Sequence, residues 1–307
     1  MLKKINPNLA LIYSTLLWGT WWYPVRLLDE LANNNAIPLA SSFLIGGLFI
    51  GFFAFKEKIN LSKKNVYFTL IAGIAGGIAM GLYNEGFFRG PVSRVLIFFY
   101  LTVVWSTLIE IIFLKKSLTV YRSLSILSGF VGLLIMNQID QGGFLPHSAA
   151  DVCAIISGIF WSICATFLKV NEDLNVMFAT STCIITGGLF AIIATFFSGS
   201  HQDLVGFNYE IFSNTYWLTI LFAFIWLIPA YYLTCYGSDQ VDPGRAGLFM
   251  MFEVVVGIFS AYLIASETIT MRELIGAMFI MAAPLVEIYS LKKSNFIPNF
   301  FKLRAEF

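Results

Sequence analysis

The sequence predicts an all-α membrane protein with ten transmembrane helices in two inverted five-helix repeats. Hydrophobic residues make up 58% of its 307 residues and charged residues 12%, whereas soluble domains carry about 25% charged residues. Long stretches, such as 36–55 and 174–200, contain no Asp, Glu, Lys or Arg. A helix needs about 20 apolar residues to cross the hydrocarbon core. Five such stretches precede the polar loop at 138–149 and five follow it.

The apolar stretches predict helices because backbone in lipid must satisfy its own hydrogen bonds. A membrane β-barrel would show short alternating segments instead. We place the ten spans at 9–28, 36–55, 66–88, 92–114, 120–137, 150–169, 175–198, 214–237, 243–265 and 270–290. The first span is too long for the core of a cleaved signal peptide, so we expect it to be retained.

Basic residues divide the loops into two classes. One class carries Lys3, Lys4, Lys56, Lys58, Lys63, Lys64, Lys115, Lys116, Lys292, Lys293, Lys302 and Arg304. The loops at 138–149 and 199–213 contain neither Lys nor Arg. The positive-inside rule then places both termini in the cytoplasm. We expect a multi-pass protein of the bacterial inner membrane, with repeats at 1–140 and 150–290 and a basic cytoplasmic tail at 291–307 that contacts membrane lipid.

The two halves of the chain can be aligned. A shift of 143 residues places Trp18 on Trp161, and a shift of 151 residues places Arg94 on Arg245. An odd number of spans in each half makes the second half enter the membrane from the opposite side. This is an architecture of secondary transporters, in which the substrate site lies between the halves near the midplane.

Several segments resemble the EamA-type transporters of the drug/metabolite transporter superfamily. They are the helix from Trp18-Gly19 to Arg26, the segment 99–105, and the segment beginning Phe252-Glu253. The resemblance implies ten helices and a central cavity lined chiefly by helices 1, 3, 4, 6, 8 and 9. Val103 and Val254 stand where that family usually has proline, so the proline-induced helix bend is not predicted there.

Glu253 is the foremost candidate for a functional residue. It lies about ten residues into the ninth span, between apolar neighbours. A charge at membrane depth costs several kcal/mol, so such residues are functional candidates. Three roles remain open for this carboxyl group: binding a substrate ammonium, carrying a coupling proton, or serving as the structural partner of Arg245 or a helix terminus.

The remaining candidate substrate contacts are chiefly aromatic or polar: Trp18, Trp22, Tyr83, Asn84, Glu85, Tyr100, Trp161 and Tyr232. Aromatic rings suit an amphipathic amine through stacking and cation–π attraction, and packing alone is the alternative role. Glu85 can pair with Arg89 on one helix face, which either closes the helix end or lines the cavity. Arg94 and Arg245 are candidate gate charges, with snorkelling to the interface as the alternative.

These features predict a secondary or facilitative transporter of an amino acid or related zwitterionic or amine compound, with protons as a candidate coupling ion. A multidrug or toxic-metabolite exporter and a non-transporting receptor stay as alternatives. No enzyme, cofactor or metal is predicted, because catalytic clusters are missing and the four cysteines lack metal-ligand spacing. The near-neutral charge does not suggest nucleic acid. We expect a monomer or homodimer.

Overall fold

The computed structural model describes residues 5–33, 36–56, 62–115, 118–136, 146–171, 173–198, 209–265 and 269–296. Several sequence predictions therefore lie outside the described residues. They concern Lys3, Lys4, Lys58, Lys116, the loop residues 137–145 and 199–208, and the tail from 297 onward.

The regular structure of the described residues is entirely helical, as predicted. Its elements are α1 (Pro7–Gly19), α2 (Trp22–Leu31), α3 (Ile37–Lys56), α4 (Lys63–Arg89), α5 (Val92–Phe99), α6 (Thr102–Ile112), α7 (Val120–Met136), α8 (Ala149–Val170), α9 (Val176–Ser198), α10 (Tyr209–Leu221), a π-helical turn (Phe222–Leu227), α11 (Ile228–Gln240), α12 (Pro243–Met250), α13 (Phe252–Ala265) and α14 (Met271–Phe296).

Seven helical stretches of the described chain are long and apolar enough to cross a bilayer. They are Ile37–Lys56, Lys63–Arg89, Arg94–Ile112, Ala149–Val170, Val176–Ile193, Tyr209–Gln240 and Pro243–Ile264. A shorter apolar helix spans Val120–Met136. The all-α membrane fold is thus confirmed, while the count of ten spans stays a prediction.

The first predicted span is two helices rather than one. α1 ends at Gly19 and α2 begins at Trp22, with Thr20 as the C-cap of α1. Pro24 explains the break, because it has no N–H to bond the carbonyl four residues earlier and its ring crowds that carbonyl. The indole Nε1 of Trp226 donates to Thr20 Oγ1 at 3.0 Å and holds the turn against the second half.

The predicted fourth and ninth spans are also broken, although they lack the proline of the related family. The first break falls at Tyr100–Leu101 and the second at Met251. Tyr100 and Met251 are separated by 151 residues, which is the repeat shift. At the first break the Leu101 N–H donates to the Phe98 carbonyl at 3.3 Å. The backbone there makes a hydrogen bond to the third residue before it, as in a 3₁₀-helix, in place of the fourth.

Gly158 of α8 accounts for the position of the first break. A Cβ on this glycine would lie 2.6 Å from the Phe99 carbonyl oxygen, so α8 approaches the backbone at the end of α5 directly. The bend that proline causes elsewhere is therefore accommodated here by a close helix contact.

The two halves pack through a row of glycines on α4. Gly73, Gly77 and Gly81 face α9 of the second half, where they meet Thr182, Thr186 and Phe190. The Thr186 hydroxyl donates to the Gly73 carbonyl at 2.5 Å. Such small-residue spacing lets helix backbones approach closely in a membrane. The core is consequently formed between the halves, where α4 packs on α8 and α9.

Candidate functional site

A small cavity lies between the two halves at the level of the helix breaks. Its lining residues are Trp18, Ala79, Met80, Tyr83, Phe99, Ser157, Trp161, Met250 and Glu253. Its volume is about 20 Å³, which is room for about one water molecule. We call it the central cavity. The structure therefore holds this candidate site in a narrow form, too small for a metabolite.

The carboxyl group of Glu253 is held by two tyrosines of the opposite half. Tyr83 donates to Oε1 and Tyr100 donates to Oε2, each at 2.5 Å. The Tyr100 hydroxyl also lies 2.5 Å from the carbonyl oxygen of Met250. Glu253 is only 1% exposed and stands in the first turn of α13, where the helix dipole favours negative charge. The two tyrosine hydroxyls and the start of α13 thus stabilise the Glu253 carboxyl group.

Arg245 does not pair with Glu253, so the predicted pairing of these two residues is wrong, whereas the alternative partner, a helix terminus, stays a prediction. Its Nε donates to Glu287 Oε1 at 2.6 Å, and its Nη1 lies 3.8 Å from the Asp242 carboxylate. Arg245 therefore links α12 to α14 and does not line the central cavity. The gating role predicted for it stays a prediction.

Aromatic rings form two walls of the central cavity. Trp18 packs on Trp21 and Tyr231, with ring centroids 4.7 and 5.1 Å apart, and its Nε1 donates to Thr234 Oγ1 at 2.9 Å. Trp161 lines the same cavity from α8. The two tryptophans matched by the repeat thus meet at one site, where Trp18 also has a clear packing role.

Trp22 and Tyr232 do not line the central cavity in this structure. Trp22 is buried, and its Nε1 donates to Ser260 Oγ of α13 at 2.9 Å. Tyr232 is half-buried on α11. Their contact with substrate stays a prediction.

Asn84 and Glu85 also lie outside the cavity lining. The Asn84 side-chain oxygen accepts from Trp21 Nε1 at 3.2 Å. Glu85 pairs with Arg89 at 3.0 Å, one helical turn further along α4. The ion pair expected from the sequence is therefore present near the end of the helix.

Arg94 joins the two halves through a residue that the sequence analysis missed. Its Nε and Nη2 donate to the two carboxylate oxygens of Asp151 at 2.7 and 2.9 Å. Asp151 is fully buried and also accepts from the backbone N–H groups of His147 and Ser148. The pattern Ser148-x-x-Asp151 is a capping box that could have marked this helix start.

A second buried link joins α6 to α12. Glu110 Oε1 accepts from the backbone N–H of Gly244 at 2.5 Å, at the start of α12. Its other oxygen lies 2.8 Å from Nη2 of Arg122 on α7. Buried ions of this kind need partners because desolvation is costly. The halves are thus tied by charged contacts at α5–α8 and at α6–α12.

A larger cavity opens where α2 and α4 end and α5 begins. It has a volume of about 420 Å³ and is lined by Arg26, Asp29, Glu30, Phe87, Phe88, Arg89, Gly90 and Pro91. We call it the vestibule. Phe87 packs on Tyr83 of the central cavity with ring centroids 4.5 Å apart, so one ring pair joins the walls of the two cavities. Within the described ranges, no three His, Cys, Asp or Glu side chains are grouped to hold a metal ion.

Comparison with known proteins supports the motif resemblance. The model of the EamA-like transporter family matches residues 6–138 and 148–286. The uncharacterized transporter YoaV of Bacillus subtilis is 20% identical over 301 residues, covering 94% of this chain and 99% of that protein. An S-adenosylmethionine uptake transporter of Rickettsia bellii is 22% identical over 301 residues, with 90% and 95% coverage.

A second protein of that description, from Rickettsia conorii, is 21% identical over 300 residues, with 91% and 95% coverage. A solved crystal structure superposes with a TM-score of 0.67 at 15% identity, covering 94% of this chain and 98% of the other. At that identity the likeness shows the fold alone.

Proposed function

Because the chain belongs to the EamA-like transporter family, and is thus a transporter rather than an enzyme, we propose that it carries an amine-bearing zwitterionic metabolite. Transport runs across the bacterial inner membrane by alternating access. The observation that carries this proposal is the buried Glu253 carboxyl group, which two tyrosines hold in an aromatic cavity between the halves.

The lining of the central cavity suits an organic cation. Glu253 offers a carboxylate, while Trp18 and Trp161 offer ring faces that attract cations such as ammonium or sulfonium groups. The described lining contains no basic side chain that would repel such a group. S-adenosylmethionine combines a sulfonium, an amino-acid zwitterion and an adenine ring, and related transporters from Rickettsia carry its name. It is therefore the first substrate to test.

The hydrogen bonds around Tyr100 support a proton site at Glu253. The Tyr100 hydroxyl has one hydrogen but lies 2.5 Å from two oxygens, the Met250 carbonyl and Glu253 Oε2. If the Tyr100 hydroxyl donates its hydrogen to the Met250 carbonyl, a protonated Glu253 can donate a hydrogen bond to the Tyr100 oxygen, so that both short contacts are hydrogen bonds. A carboxyl group that gains and loses this proton can couple substrate binding to proton movement.

The narrow cavity and the charged links support a transport cycle in which the halves separate on one side at a time. Substrate cannot occupy about 20 Å³, so the halves must separate on one side or the other. The Arg94–Asp151 pair joins them at α5–α8, and the Glu110–Gly244 bond joins them at α6–α12. If both termini lie in the cytoplasm, as the sequence predicts, the first link faces outward and the second faces inward. Breaking one link while the other holds opens the central cavity to one side of the membrane at a time.

Uptake by proteoliposomes tests the proposal. Labelled S-adenosylmethionine and L-methionine are offered to the wild type, to Glu253→Gln, and to Glu210→Gln as a control on an exposed carboxylate. We expect wild-type uptake that depends on an imposed pH gradient, its loss in Glu253→Gln, and wild-type behaviour in Glu210→Gln. Unchanged uptake and pH dependence in Glu253→Gln would refute the role of this residue.

A further inference from the structure

We propose that the vestibule is a second binding site, which captures the amino-acid head group of the substrate before it reaches the central cavity. This inference rests on the proposed function, because it assumes a zwitterionic substrate. It adds a separate site with its own residues, in which Arg26 binds the substrate carboxylate.

The vestibule has the size and lining of a ligand site. Its volume of about 420 Å³ lies within the usual range of about 300–1,000 Å³ for small-molecule pockets. Arg26 and Arg89 contribute positive charge, and Asp29 and Glu30 contribute negative charge. Such a mixed lining matches a zwitterion, which presents an ammonium and a carboxylate on neighbouring atoms.

Arg26 is the cation placed to take a carboxylate. Its guanidinium lies 5.6 Å from the ring centroid of Trp22, and no ion pair joins it to any carboxylate of the described chain. Glu30 is four residues further along α2, a spacing that often gives an ion pair, yet the two are not bonded here. A guanidinium can bind a carboxylate with two parallel hydrogen bonds.

Arg89 has a different role, because Glu85 already occupies its Nε at 3.0 Å. Glu30 is exposed and lines the vestibule, so its carboxylate can reach an ammonium group at the vestibule mouth, while Asp29 adds negative charge to the same lining. The three charges on α2 thus form one surface for the head group of an α-amino acid.

The vestibule connects to the central cavity through aromatic side chains. Phe87 lines the vestibule and packs on Tyr83, which lines the central cavity and donates to Glu253. Trp22 lies under Arg26 and donates to Ser260 on α13, the helix that carries Glu253. A ligand in the vestibule therefore contacts Phe87, whose neighbour Tyr83 bonds the Glu253 carboxyl group.

Two probes that differ only in the carboxylate test this inference: S-adenosylmethionine and its decarboxylated form. We expect Arg26→Gln to raise the KM for S-adenosylmethionine about tenfold, in line with one lost charge-assisted interaction, with little change in maximal rate. The KM for the decarboxylated probe should stay the same. Lys56→Gln is the matched control, because Lys56 also lies over an aromatic ring, that of Phe52, but does not line the vestibule.

Direct binding separates this inference from the proposed function. Binding of S-adenosylmethionine and L-methionine is measured in the Glu253→Gln background, with and without Arg26→Gln. Carboxylate-dependent binding that survives Glu253→Gln and is lost on adding Arg26→Gln supports the vestibule site, even if uptake is absent. Uptake that depends on Glu253 but not on Arg26 overturns the vestibule site and leaves the transport proposal intact.

Two further outcomes contradict the inference. An equal change in KM for both probes in Arg26→Gln would mean that Arg26 does not bind the substrate carboxylate. An effect that disappears when anionic lipid is omitted from the liposomes would mean that Arg26 binds a lipid headgroup instead.

Discussion

At the scale of single residues, the buried carboxyl of Glu253 is held by hydrogen-bond donors and not by a cation. Tyr83 and Tyr100 each supply a hydroxyl at 2.5 Å. A neutral donor can leave the carboxyl without leaving a second buried charge behind, whereas separating an ion pair would leave one. This arrangement leaves the carboxyl able to exchange partners during transport.

Removing the two hydroxyls should have unequal effects. Tyr83→Phe deletes one donor from the cavity wall, and we expect uptake to fall sharply while stability drops by about 1–3 kcal/mol. Tyr100→Phe should lower the melting temperature further, because the Met250 carbonyl also loses its contact with this hydroxyl. Thermal unfolding in detergent and uptake check both, with Tyr262→Phe, an exposed position on α13, as control. Wild-type uptake in Tyr83→Phe would contradict this view of the site.

Substitutions of the two tryptophans matched by the repeat should also have different effects. Trp161→Phe should weaken binding of S-adenosylmethionine several-fold with a small change in melting temperature, because a smaller ring face attracts the cation less. Trp18→Phe should lower the melting temperature more, since it loses the Thr234 hydrogen bond and part of its packing on Tyr231. Thermal shift with and without ligand measures both quantities. The opposite ranking would make Trp161 a packing residue.

At the scale of helices, the broken spans place the functional groups. Tyr100 caps α5, and Glu253 lies in the first turn after the break at Met251. Backbone bends thus point both side chains toward the interface between the halves. The break at the end of α5 depends on Gly158, whose missing side chain admits the Phe99 carbonyl.

Gly158→Ala should therefore disturb transport by moving the end of α5. The added Cβ would lie 2.6 Å from a backbone oxygen, so the helices must shift, at a cost of about 1–3 kcal/mol. We expect a lower melting temperature and reduced uptake per folded molecule, assessed after size-exclusion chromatography. Val152→Ile adds the same volume on the exposed side of α8 and should behave like the wild type. Normal uptake in Gly158→Ala would show that transport tolerates a shift of the helix break at the end of α5.

The sequence predicted these elements only in part, for physical reasons. Glu253 could be predicted because a single charged residue within an apolar stretch is recognisable from the neighbouring sequence alone. Its partners lie 170 and 153 residues away, so no spacing rule could connect them. Valines in place of prolines hid the breaks, since the close approach of Gly158 is a tertiary contact. Asp151 was missed because a carboxylate at a helix start looks like an ordinary cap.

At the scale of the whole molecule, movement of the halves can be tested with a cross-link. A Cβ on Gly90 would lie 2.7 Å from the Cβ of Ala150, and bridged Cβ atoms lie about 3.8 Å apart. A disulfide at Gly90→Cys with Ala150→Cys, in a Cys153→Ser background, should lock α4 to α8. We expect uptake to stop on oxidation and to return on reduction.

The variant that carries Gly90→Cys and Cys153→Ser but keeps Ala150 is the control for this cross-link, because it cannot form the bond. Full uptake by the oxidised double-cysteine variant would show that this end of the interface does not open during transport.

The small volume between the two charged links also has an electrical consequence. About 20 Å³ holds roughly one water molecule, so the central cavity has no room for a file of hydrated ions in this form. A copy in this form therefore does not dissipate the membrane potential through its central cavity.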